Sequence, residues 1–141
     1  MADQREVEAS VLAELRAVCL GLPEVVEEQA WVGTRWRVAR RTFAHVLVID
    51  GGWPPVYAAA AGTAGPATVV MFRSSGAELD ALRNGGPPFF APPWRPDEVG
   101  MVVDDGTGWD EVGELVTESY CCQAPAKLAR LVARPDGGKA T

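Results

Sequence analysis

Apolar residues near the start of the chain recur at helical spacing. Val7, Val11, Leu15, Val18, Cys19 and Leu22 share one stripe, while Arg5, Glu8, Glu14 and Arg16 fall off it. This predicts an amphipathic first helix. Asp3 with Glu6 resembles a capping box, and Gly21 then Pro23 supply a stop. The period then changes to two. Val26, Glu28 and Ala30 alternate with Val25, Glu27, Gln29 and Trp31, and Trp36 and Val38 alternate with Arg35 and Arg37. With the apolar run 43–49, the pattern predicts three antiparallel strands at roughly 25–31, 34–39 and 42–49. The intervening Ala39-Arg40-Arg41 reads as a turn without the Gly or Asn that a two-residue hairpin favours.

Residues 50–55 and 62–66 carry turn chemistry. Between them, residues 56–61 are ambiguous, because alanines suit a helix whereas flanking prolines and Gly62 suit a strand or loop. Residues 67–73 predict a strand, and Ser74 or Ser75 caps a short helix over 76–84 through Ala77, Leu79 and Leu82. Residues 85–96 hold five prolines among Phe89, Phe90 and Trp94, so an irregular segment pinned by aromatics is expected. Residues 99–103 predict the final strand. Thr107 caps an amphipathic helix through Trp109, Val112, Leu115, Val116 and Tyr120, of which Trp109, Leu115 and Tyr120 are read as structural. Pro125 opens a last helix through Leu128, Leu131 and Val132. The sum is a single α+β domain over 1–133 with a flexible tail at 134–141. Its antiparallel sheet has helices packed on it, in the order α-β-β-β-β-α-β-α-α.

A chain of 141 residues buries enough surface to fold without a metal or disulfide staple. Its longest apolar runs are far below the ~20 residues that span a bilayer, so no membrane partner is expected. The polar start lacks a secretory pattern, and Cys19, Cys121 and Cys122 are odd in number, which together read as reduced thiols in the cytoplasm. A net charge of −6 argues against avid nonspecific nucleic-acid binding while leaving room for a local basic patch. The oligomeric state is left open.

Three stretches carry a family resemblance: residues 19–25 closing the first helix, the hairpin from Thr34 to Val46, and the run 109–120 leading into Ala126-Lys127-Leu128. On these the chain is similar to the MmcQ/YjbR family over roughly residues 5–133. The resemblance implies a CyaY/frataxin-like arrangement of sheet and helices. It also implies DNA binding through a double-wing architecture, without a catalytic residue. The hairpin departs from the family pattern, having Ala39-Arg40-Arg41 where Gly and Lys are usual, and the 51–66 loop is longer.

Arg35, Arg37, Arg40 and Arg41 fall within seven positions, the first two on one strand face and the others at the turn. A rigid ribbon of guanidinium groups suits phosphate contact, and Lys127 and Arg130 on the last helix would extend the basic surface toward duplex DNA. The same residues also read as a solvated strand face and a complemented helix end, and these readings weigh more. An alternative ligand is a small planar molecule held by Trp53, Trp94 and Phe89 in the Pro/Gly-rich loops. His45, the only histidine, reads as a hydrogen-bonded, partly buried residue. The adjacent Cys121 and Cys122 do not make a C-x-x-C pair, and no G-x-S-x-G, P-loop or H-E-x-x-H motif occurs. No catalytic residue, metal site or cofactor is therefore expected, and the chain is not read as an enzyme.

Overall fold

The computed structural model describes residues 6–132. Six strands form one antiparallel sheet: β1 (Val26–Gln29), β2 (Thr34–Val38), β3 (Arg41–Ile49), β4 (Ala67–Arg73), β5 (Phe89–Phe90) and β6 (Glu98–Val103). Their spatial order is β1-β2-β3-β4-β6-β5. Five helices join them: α1 (Ala9–Cys19), α2 (Pro55–Ala61), α3 (Gly76–Asn84), α4 (Trp109–Gln123) and α5 (Ala126–Ala129). The expected fold class and element order hold. Two short elements are added: α2 in the ambiguous alanine run and β5 in the proline-rich segment. A proline at the first turn of α2 and Gly62 in the left-handed region after its end show why seven residues suffice.

Element ends depart from expectation. α1 begins at Ala9 with Glu8 at its N-cap and no side-chain cap bond, so Glu6 caps nothing. Asp3 and the 134–141 tail lie outside the described residues. Gly108, not Thr107, is the N-cap of α4. Thr107 instead uses its Oγ1 to accept the Asp104 N–H at 2.7 Å, which closes the turn before the helix. The β2–β3 hairpin turns through Ala39 and Arg40, both at positive φ (50° and 70°). Turns of this primed hand match strand twist, and the geometry overrides the usual residue preference.

Alternation divides the sheet into two faces. Trp36, Ala44, Val46, Val70, Phe72 and Val99 pack under Leu15 and Cys19 of α1 and Val112, Leu115, Val116 and Tyr120 of α4. A β-bulge sets this phase. Trp36 pairs with Ala44 but Arg37 pairs with Thr42, so Phe43 is the extra residue. Ser119 of α4 then joins three elements. Its hydroxyl donates to the Phe43 carbonyl at 2.6 Å and accepts the Arg73 N–H at 2.7 Å. The Tyr120 hydroxyl donates to the Pro23 carbonyl at 2.7 Å, and its ring meets Phe43 edge-on at 5.3 Å.

The opposite face carries a smaller cluster. Leu47, Ile49, Val69 and Met71 are covered by Tyr57, Ala58 and Ala61 of α2, with Phe90 alongside.

Two substitutions test this packing. Leu115→Ala should cost about 2–5 kcal/mol through transfer and cavity terms. Ser119→Ala should cost about 1–3 kcal/mol, because it leaves the Phe43 carbonyl and the Arg73 N–H without their partner. Urea denaturation measures both. An unchanged midpoint for either variant would contradict the corresponding contact.

Candidate functional site

Directly paired residues of a sheet share a face. One row therefore crosses all six strands on the side away from α4: Glu28, Arg35, His45, Met71, Gly100 and Phe90. α2 is too short to cover this face, and the uncovered part is a cleft of about 560 Å³. His45 and Met71 lie on its floor. Trp31, Tyr57 and Trp94 contribute aromatic walls, and Arg35, Arg73, Arg95 and Glu98 contribute charge.

Tyr57 stands edge-on to both neighbours, 6.0 Å from the His45 ring and 5.2 Å from the Trp94 ring. The His45 Nε2 lies 2.6 Å from the Val32 carbonyl. A carbonyl only accepts, so Nε2 carries the proton and Nδ1 is left as an acceptor. Burial pulls the His45 pKa down, against the pull of the Val32 carbonyl, and the ring is neutral at pH 7.

Each arginine of the cleft has a carboxylate. Arg35 reaches Glu28 at 3.1 Å, Arg73 reaches Asp97 at 3.1 Å and Arg95 reaches Glu98 at 3.2 Å. Glu28 also takes Arg37 at 2.7 Å. The hydrogen bond from Arg37 chiefly holds the Glu28 carboxyl below its ordinary range. Glu98 differs because it is buried, and burial pushes its carboxyl above that range despite the Trp94 indole N–H at 2.9 Å and nearby Arg95. Burial, and then the charge of Glu98, raises the Tyr57 hydroxyl.

The sequence candidates are dispersed. Arg35 and Arg37 do share one face, but Glu28 engages both. Arg40 and Arg41 are exposed at the hairpin tip, where Arg37 Nη2 donates to the Arg40 carbonyl at 2.9 Å. Lys127 and Arg130 belong to the α5 end, which is anchored through Leu128 in the core under α4. The sheet thus separates them from Arg35 and Arg37. Trp94 lines the cleft as the alternative reading required. Trp53 instead packs on Trp31 at 5.4 Å. Phe89 pairs with Met101 and packs against the helix-side core, because neighbouring residues of a strand point to opposite faces. His45, Tyr57, Arg73 and Glu98 were not among the sequence candidates. Only His45 had a usable local signal, its pairing with Arg35 across the predicted hairpin.

These features define a small α+β protein whose antiparallel sheet is packed by helices on one side and left partly open on the other. The YjbR family model matches residues 20–122, and the chain belongs to the YjbR family. No curated protein matches the sequence. Among solved structures, a structural-genomics target from Pseudomonas syringae is similar at 12% identity and a TM-score of 0.60, covering 83% of this chain and 99% of its own. A Deinococcus radiodurans protein with a DUF419 domain is similar at 18% identity and a TM-score of 0.58, covering 89% of each chain. At such identities the likeness establishes the fold. No helix among the described residues is long and apolar enough to cross a membrane.

His45 gives a pH prediction. Its folded pKa lies below the unfolded value of about 6.5, so the unfolded chain binds more protons as pH falls below that value. His45 should therefore cost stability on acidification from pH 7, until pH reaches the lower folded pKa. Thermal melts at pH 7 and pH 5 should show a larger loss for wild type than for His45→Gln. Equal losses would place His45 in a solvated environment.

Proposed function

We propose that this YjbR-family chain is a non-catalytic binding protein that holds a small planar molecule in the open-face cleft. The observation carrying this reading is the enclosure of about 560 Å³ of sheet surface by Trp31, Tyr57 and Trp94. Mostly apolar clefts of roughly 300–1,000 Å³ with a few convergent polar groups are the usual form of small-molecule sites.

Duplex DNA is a second reading, favoured by Arg40 and Arg41. Both are exposed, and neither has a carboxylate partner among the described residues. With two free cations, the slope of log K against log salt should be about −2, at roughly 0.9 per phosphate.

Amide spectra of labelled protein, titrated with planar heteroaromatic fragments, test the first reading. Shifts should cluster at His45, Tyr57, Trp94 and Glu98, and Trp94→Ala should weaken binding at least tenfold. Titration with duplex DNA at low salt tests the second. A salt slope near −2 that vanishes in the Arg40→Ala/Arg41→Ala variant, with no fragment binding in the cleft, would replace the first reading by the second.

A further inference from the structure

The cleft contains two acceptor atoms that the protein leaves unused. Both polar contacts of the Glu98 carboxylate, from Trp94 and Arg95, fall on Oε1. Oε2 has no partner among the described residues and is not sealed from solvent, because no buried side-chain oxygen or nitrogen goes unpaired. The same holds for His45 Nδ1, since Nε2 makes that ring's hydrogen bond. The cations show the opposite balance: Arg35, Arg73 and Arg95 each already meet a carboxylate. Within aromatic walls, the site therefore calls for a ligand that donates hydrogen bonds, and it offers no free cation to an anion.

We propose, resting on the cleft reading above, that the ligand is a neutral amino-substituted nitrogen heterocycle whose N–H groups meet Glu98 Oε2 and His45 Nδ1. The strand register places the two acceptors. β4 separates β3 from β6, and Glu98 pairs with Arg73, two residues along β4 from Met71, the partner of His45. At about 4.8 Å between strands and about 3.4 Å per residue, the two side chains are rooted on the order of 12 Å apart. A separation of that order between the roots leaves room for a flat ring system to hydrogen-bond at both ends. Tyr57, in ring contact with both His45 and Trp94, offers an aromatic wall to the body of such a ring.

The test uses four probes on the full chain: 2-aminopurine, purine, indole-2-carboxylate and phenyltrimethylammonium. Calorimetry gives affinities, and quenching of 2-aminopurine fluorescence reports stacking. 2-Aminopurine should bind at least tenfold tighter than purine, which lacks the amino donor. Glu98→Gln should lower its affinity at least tenfold. If Glu98→Gln melts early, His45→Phe supplies the same comparison from the other acceptor. A single-stranded oligonucleotide carrying 2-aminopurine tells a free heterocycle from a base within a strand, according to which binds tighter. Preferential binding of indole-2-carboxylate or phenyltrimethylammonium, with amide shifts at Tyr57 and Trp94, would overturn the donor assignment and leave the cleft reading intact. Failure of all four probes to shift the lining residues would overturn both.

Discussion

Ser119 is the point on which the two sides of this molecule depend. Its hydroxyl bridges a bulged carbonyl of β3 and the final N–H of β4, so α4 is tied to the sheet at the place where the strand phase changes. The bulge turns both Phe43 and Ala44 toward α4. Every β3 residue after it then alternates from that setting, which puts His45, Leu47 and Ile49 on the other face. A slip of one residue would exchange the faces. It would bury His45 under α4 and present Val46 to the cleft. The hydrogen bonds of one serine thus support the chemistry of a surface that it does not touch.

Charge follows the same division. The chain is acidic overall, and the exposed basic hairpin is tempered by its own neighbour strand, where Glu28 takes both Arg35 and Arg37. Such partly exposed pairs contribute little to stability, at most about 1 kcal/mol each. They engage two of the four hairpin guanidinium groups with a carboxylate of the neighbouring strand. Glu98 is the contrasting case. Its burial makes the ionised form costly, and Trp94 and Arg95 offset that cost on one oxygen only. The other oxygen, Oε2, is left to solvent, so the side chain holds no sealed, unpaired acceptor.

Much of the fold was legible because it rests on periodicity. The switch from helical spacing to alternation at Pro23, and back near Trp109, placed the main elements, and alternation put Arg35 and Arg37 on one face as found. Features set by phase or by tertiary contact were not legible. Phe89 and Phe90 are adjacent and chemically identical, so only their pairing with Met101 and Gly100 decides which one faces the open side. The turn at Ala39-Arg40 carries no Gly or Asn because the pull of two paired strands outweighs local preference. The capping position expected of Thr107 fell to Gly108, one residue later, and the Thr107 hydroxyl accepts the Asp104 N–H instead. The cleft itself was invisible for a topological reason: His45, Tyr57 and Glu98 come from β3, α2 and β6, which meet only after the sheet is assembled.

The far end of the cleft row shows how backbone and side chain cooperate to leave the open region where it is. A Cβ on Gly100 would lie 2.1 Å from Phe90 Cζ, so the glycine is what lets the ring lie flat against β6. Phe90 then covers the sheet edge, and the apolar run from Leu47 to Val69 is closed by α2. Beside it lies the cleft, lined by polar groups from Arg35 through His45 to Glu98. A longer helix over this stretch would cover the polar atoms that still reach water without giving them hydrogen-bond partners, and that is unfavourable. The length of α2, ended by Gly62 in the left-handed region, thus matches the boundary between apolar and polar sheet surface. The cleft thus follows from where polar side chains occur along β2, β3 and β6.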